Sequence, residues 1–257
     1  MLRLGRLPHD PARLALVPKH RFGAETPPDE LRRSLDSFKP GLYGNDTLPD
    51  CTAVALANGA RAVAYLNGFS LVVYNRYVPR FYSACIGNPA DLADSSGANM
   101  LDVLEYQAAH GYEIGPQTIT GNYGVVDYTV RSDIAWAVAR LGFCYMGVTL
   151  YEGDLDAFRN HRPWTVGYPT GAVAGGHAIP MWTYAGLGDH SLTQVGTWGT
   201  WQSATWEWVH ARTEEAYGLV WRQLVPADGL YYDGVTPDGL VTELDAEAGG
   251  GPIGDTA

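Results

Sequence analysis

Residues 53–66 constrain the fold most: nearly every position there is small or apolar, with Asn58 and Arg61 the main exceptions. A helix that is apolar on all sides is stable only when the rest of the chain surrounds it. The segment is therefore expected to be central. The turn-rich residues 44–50 lead into it, with Pro49 favouring a turn and Asp50 placed to cap the helix by accepting a first-turn N–H. Cys51 falls at the junction. A thiol there sits where unpaired N–H groups and the helix dipole favour an anion, which is one way a protein makes a nucleophile. A lone cysteine at a helix start also serves simply as a small buried hydrophobe, so its role depends on the rest of the chain.

Residues 1–40 carry Pro8, Pro11, Pro18, Pro27, Pro28 and Pro40 among scattered charges. That spacing predicts an extended arm lying on the domain, with one short helix at 29–35. After the central helix, from about 50 to 66, residues 71–74 read as a short strand or the start of a helix. Met100, Val103, Leu104 and Ala108 then follow a 3-4 pattern in a helix opened by Ser96 or Gly97 and ended by Gly111. His110 near its end is a solvated, dipole-favourable residue. The loop at 115–129 suits a binding surface or a plain connection. A third helix runs over 132–141 and closes at Gly142.

The pattern then changes. Residues 143–150, 164–168, 177–184, 191–195 and 216–225 read as strands separated by Gly-containing turns, with a short helix at 155–158. Helices in the first half and strands in the second predict an α+β fold, with a helical lobe at about 41–141 and an antiparallel β lobe at about 142–225. The arm occupies 1–40, and residues 226–257 form a looser C-terminal segment ending in a Gly-rich flexible tail.

Composition narrows the function. A formal charge of −11 among 257 residues, with no basic patch, argues against nucleic acid as a partner. Three cysteines are too few, and odd in number, for a disulfide framework, which points to free thiols. Arg3, Arg6, Asp10 and Arg13 interrupt the N-terminus, so no signal peptide is expected, and no run of 18 apolar residues would span a membrane. A soluble protein, not exported by the usual route and not engaging a membrane, is the expectation. No Cys or His pair has zinc-ligand spacing and no acidic loop suits calcium, so no metal and no cofactor is implied. Cys85 and Cys144 lie in apolar sequence and read as structural, and Asp189-His190 reads as a solvated turn.

His177 follows Gly175-Gly176 and starts an apolar strand, which places it at a strand end where another backbone can approach closely. Alone it reads as a core or surface histidine. About 125 residues after a helix-start cysteine, it has the order and separation of a Cys-His pair meeting across a lobe interface. Trp198, in Gly196-Thr197-Trp198-Gly199, is either a core residue or a shield that keeps water from the histidine's partner.

These residues together resemble the papain-like cysteine peptidases over about residues 40–225. Asn45-Asp46-Thr47-Leu48-Pro49-Asp50-Cys51-Thr52-Ala53 resembles that family's cysteine motif, Gly176-His177-Ala178 its histidine motif, and Gly196-Thr197-Trp198-Gly199 its Asn-Ser-Trp-Gly. The Trp198-to-Trp206 and Glu214-Glu215-Ala216-Tyr217 arrangement, behind the Leu7-Pro8 arm, resembles papain-like proteins of phages and prophages. The resemblance implies a papain-like two-lobe fold and hydrolysis of a peptide or related amide bond. It makes Cys51 the nucleophile, His177 the proton carrier and Asn45 a donor to the oxyanion. Three residues depart from the pattern. Asn45 is shorter by one methylene than the family's Gln. Gly196 stands where the family has the Asn that orients its histidine; Gln194, a backbone carbonyl or water could take over that role. Asp50 beside Cys51 opposes a thiolate. The alternative implied by these departures is a catalytically impaired papain-fold protein serving as a binding or structural component, its partners being other virion proteins in place of a peptide substrate.

Overall fold

A computed structural model of the chain describes residues 2–20, 26–32, 35, 37–68, 70–167, 171–225, 228–231, 234 and 236–245. Extended residues at the start of the arm lead to a short helix, α1 (Pro11–Leu14). Pro11 has no N–H to satisfy, and the Asp10 carboxylate accepts the Ala12 N–H at 2.9 Å, so this one turn is locally specified. The helix expected at 29–35 is not seen among the described residues of that stretch. Leu31 instead pairs antiparallel with Tyr184, donating its N–H to the Tyr184 carbonyl at 2.8 Å, because a neighbouring strand offers its backbone a partner that an isolated turn would lack.

The central helix is α2 (Cys51–Leu66), and every residue from Cys51 to Ala60 is buried. Asp50 precedes it but makes no capping bond with its side chain; that carboxylate turns back toward Asn45. Residues 71–74 form neither strand nor helix, and α3 (Tyr77–Cys85) follows. The next helix, α4 (Met100–His110), begins at Asn99, whose side chain caps the Leu101 N–H at 2.9 Å. Gly97 could not open it, because its φ of +108° lies far from helical backbone.

The loop expected at 115–129 carries short strands. β1 (Tyr112–Glu113) pairs with β2 (Thr118–Ile119), and β3 (Gly121–Val125) joins the main sheet. After α5 (Arg131–Leu141), ended by left-handed Gly142, come β4 (Cys144–Tyr151), α6 (Glu152–Arg159), β5 (Val173–Tyr184), β6 (Leu192–Thr197), β7 (Thr200–Thr205), α7 (Trp206–Arg212) and β8 (Thr213–Trp221). The sheet order is β3-β8-β4-β5-β6-β7, with every neighbouring pair antiparallel. Trp164 makes only an isolated bridge to Ala204 in place of the expected strand. β8 ends at Trp221, short of the expected 225, and α8 (Pro237–Asp245) lies within the segment read as loose. The tail at 246–257 lies outside the described residues. Among the described residues no helix is long and apolar enough to cross a membrane.

The tryptophans hold the β side together. Trp164 stacks on Trp208 at 4.5 Å, and their indole N–H groups both end on Asp154, one on its carbonyl and one on its carboxylate, each at 2.8 Å. α2 packs against β5, which brings the start of the central helix to the strand that carries His177.

Candidate active site

Cys51 opens α2 and is 1 % exposed. Burial pushes its thiol up to about 12, with the Asp50 carboxylate pushing the same way and the backbone at Ala178 and Gly5 and the Arg6 charge pulling against it. The Ala178 contact fixes the relation of the pair, since Ala178 follows His177 on β5. The start of the central helix therefore lies against β5 at the residue that follows His177.

His177 is 1 % exposed, and its Nε2 shares a 2.7 Å hydrogen bond with the Thr197 hydroxyl. Its Nδ1 is buried without a hydrogen-bond partner. Trp198 lies flat on the ring, with centroids 4.4 Å apart and planes 17° from parallel, so it covers the imidazole face. Burial first and the Arg6 charge second lower the imidazole to about 3. In this arrangement both members of the pair are neutral.

The sequence left the histidine's partner open. Gln194 does not reach it: its side-chain amide donates to Ser203 at 2.9 Å, on the neighbouring β7. Thr197, the last residue of β6 and one beyond Gly196, takes the position. The reason lies behind the strand. A Cβ on Gly196 would lie 2.0 Å from the Trp182 ring, so the indole fills the space an Asn side chain would need. Gly196→Asn is accordingly expected to lower stability by about 1–3 kcal/mol through overpacking, read as a shift in the urea midpoint. An unchanged midpoint would mean that Trp182 moves freely and that packing does not explain the glycine.

Asn45 is 1 % exposed and donates to Asp50 at 3.2 Å and to the Leu48 carbonyl at 3.4 Å. Both amide hydrogens thus point into its own loop. Burial raises the Asp50 carboxyl to about 7, the Asn45 hydrogen bond opposes the rise, and Asp46 adds to it. Near neutrality Asp50 is partly protonated, which weakens the repulsion it exerts on a thiolate at Cys51.

The arm crosses this pair. The N–H groups of Gly5 and Arg6 donate to the Gly176 carbonyl at 3.2 and 3.1 Å, the Leu7 N–H to the Ala98 carbonyl at 2.9 Å, and the Ala98 N–H to the Gly5 carbonyl at 2.8 Å. Residues 5–7 are therefore an extended strand held between the segment before α4 and the start of β5. Glycines make that approach close. A Cβ on Gly97 would lie 2.0 Å from the Gly5 carbonyl oxygen, and one on Gly176 would lie 2.3 Å from that of Arg6. Trp198 adds a bond from its indole N–H to the Arg3 carbonyl at 3.1 Å. The Arg6 guanidinium reaches Glu214 and Glu215 on β8.

No family model and no curated protein sequence matches the chain. Solved structures do. Xylellain, a cysteine protease from Xylella fastidiosa, superposes with a TM-score of 0.61 at 14 % identity, over 84 % of this chain and 95 % of that one. The fold is that of the papain-like cysteine proteases. Procathepsin B S9 from Trypanosoma congolense gives 0.55 at 11 % identity over 84 % and 85 % of the two chains. Digestive procathepsin L 3 of Tenebrio molitor larval midgut gives 0.54 at 9 % over 79 % and 73 %. Within this papain-like fold Thr197 is not foreseen from the sequence, because the glycine before it occupies the motif position and a threonine at a strand end carries no distinguishing signal. It also missed Arg6 and its two glutamates, which are separated by more than 200 residues. A charged residue between Gly5 and Leu7 in an extended arm, with adjacent carboxylates inside an apolar strand, was the available signal.

Proposed function

We propose that the chain is a cysteine hydrolase that cleaves a peptide or related amide bond through Cys51 and His177. The observation carrying this reading is the meeting of the helix-start thiol and the His177 strand beneath a strand of peptide, residues 5–7, held by its main chain on both sides. A cleft that grips an extended backbone this way is suited to peptide ligands.

With the arm displaced and the pair open to water, the Cys51 proton passes to His177 and the thiolate adds to the carbonyl carbon of the bound amide. The Cys51 N–H at the start of α2 donates to the resulting oxyanion, and Asn45 supplies a second donor after turning from Asp50. His177 then protonates the departing amine as the C–N bond breaks, leaving a thioester. Water attacks the thioester, giving its proton to His177, and the C–S bond breaks to return the thiol and release the acid. Thr197 holds the imidazole through Nε2, which leaves Nδ1 as the nitrogen that exchanges protons. While residues 5–7 are held between Ala98 and Gly176 they take the place of an incoming peptide.

A second reading is favoured by one observation: the Arg6 side chain is 2 % exposed and ion-paired with a fully buried glutamate, which suits a permanently filled cleft. On that reading the protein binds or builds, for example as a component of a phage particle. The test is cleavage of denatured casein by the full-length chain and by Arg6→Glu, each with and without Cys51→Ala. Hydrolase action predicts fragments with the Cys51 proteins and none with Cys51→Ala. Intact casein with every folded variant would exclude this function and leave the binding reading.

A further inference from the structure

The surroundings of the Arg6 side chain are built more elaborately than a tether requires. Its Nη1 donates to Glu215 at 2.8 Å, and its Nη2 donates to Glu214 and, at 3.4 Å, to the Thr149 hydroxyl. Glu215 also accepts from the Tyr217 hydroxyl at 2.9 Å, and Glu214 from Thr149 at 2.5 Å. The Glu215 side chain is fully buried while that of Glu214 is 43 % exposed. Burial alone would raise Glu214, but Thr149 and Arg6 outweigh it and hold its carboxyl below the usual range.

Consecutive strand residues normally point to opposite faces, so two adjacent glutamates should not meet one guanidinium. Here they do because the pairing of β4 with β8 slips. Gly147 faces Glu215 and Val148 faces Thr213, which leaves Glu214 as the extra residue of a bulge. Bulges of this kind re-aim side chains beside functional sites. Opposite them Gly147 keeps the space open: a Cβ there would lie 2.7 Å from Arg6 Cδ and 2.6 Å from Glu215 Cγ.

We propose that Gly147, Thr149, Glu214 and Glu215 form a recognition pocket for an arginine side chain of the bound peptide, and that Arg6 is its resident occupant. This deepens the proposed function and rests on its premise that the cleft takes peptides. When the arm leaves, Glu215 loses the guanidinium and keeps the hydrogen bond from the neutral Tyr217 phenol, and a buried carboxylate in that state favours entry of another cation. A guanidinium places separate N–H groups on two carboxylates at once; an ammonium is a point charge and matches the fork poorly. A strand laid in either direction between Ala98 and Gly176 turns alternate side chains toward this wall, so the preference applies to incoming peptides as it does to the arm. The overall charge of −11 favours a cationic ligand as well.

The test uses the full-length chain carrying Arg6→Glu, which sets a carboxylate against Glu214 and Glu215, together with Cys51→Ala to prevent turnover. Fluorescein-labelled acetyl-Leu-Gly-Arg-Leu-Pro-amide, the chain's own residues 4–8, is titrated by fluorescence anisotropy beside versions with Lys, Leu or Glu replacing Arg. The Arg peptide is expected to bind at least about 10-fold tighter than the Leu peptide, with Lys between them and Glu weakest. Adding Glu214→Gln, at a half-exposed position that tolerates change, should cut the Arg preference several-fold; Glu215→Gln should remove it, provided circular dichroism shows the fold intact. Equal binding of Arg and Leu peptides, or an Arg preference that survives Glu214→Gln undiminished, overturns the pocket. Casein cleavage without an Arg preference would sink the pocket and leave the hydrolase standing, whereas Arg-selective binding without any cleavage would do the reverse.

Discussion

Arg6→Glu is expected to raise the rate at which iodoacetamide alkylates Cys51 near neutral pH by about 10³-fold over the unaltered chain. The thiolate is the reacting form, and burial pushes the thiol up to about 12. A cysteine returned to water ionises near 8.5, a difference of about 3 units and hence about 10³ in thiolate fraction. The substitution acts on the main chain through the side chain, since a carboxylate at position 6 faces Glu214 and Glu215 and drives residues 5–7 off Gly176 and Ala98. Arg6→Lys keeps the charge and should change the rate little. Adding His177→Ala to Arg6→Glu should lower the rate at mildly acidic pH, where only a thiolate paired with an imidazolium persists. Mass spectrometry of the Cys51 peptide separates this signal from that of half-buried Cys85. A folded Arg6→Glu protein whose Cys51 reacts no faster than the unaltered chain would show that the arm does not control access.

The central helix and the strand that carries His177 were legible because each carries a local signature. An all-round apolar run specifies burial, a turn before it fixes the helix start, and two glycines before His177 mark a place that another backbone can reach, although they lie inside β5 and not, as expected, before it. What the sequence hid depends on residues far apart in the chain. The loss of Asn at 196 reads as a defect until Trp182 is seen to occupy its space, with the Thr197 hydroxyl meeting the imidazole in its place. The arm reads as a covering of the domain from its prolines. Its path through the cleft is set by Gly97 and Gly176, whose missing side chains mean nothing until the opposing carbonyls are placed. Asp50 looked like a helix cap because its position and type are right, and it is drawn off by Asn45 five residues earlier. β3 was hidden within a loop because a five-residue edge strand containing two glycines has little alternation to display.

Stability should fall by about 3 kcal/mol as pH drops from about 6.5 to about 4, and three buried groups set the sign. Burial lowers His177 to about 3 and His20 to about 4, from an ordinary value near 6.5. Unfolding in that window therefore takes up nearly two protons, and stability declines as pH falls. Asp50 runs the other way. Its carboxyl, raised by burial to about 7, holds a proton when folded and releases it when unfolded, so its contribution grows as pH falls toward 4. The net uptake is one proton, worth about 1.4 kcal/mol per pH unit. Urea midpoints across this range measure it, and Asp50→Asn should roughly double the slope by removing the opposing group. The arm enters the same balance, because it buries His177 and sets the Arg6 charge beside it. In Arg6→Glu, with His177 hydrated and freed of that charge, His20 and Asp50 are the most strongly shifted groups left in this window and they oppose each other. The slope of that protein should therefore fall to nearly zero. A slope in Arg6→Glu equal to that of the unaltered chain would mean that His177 stays buried without the arm, and the cleft would then be closed by the two lobes themselves.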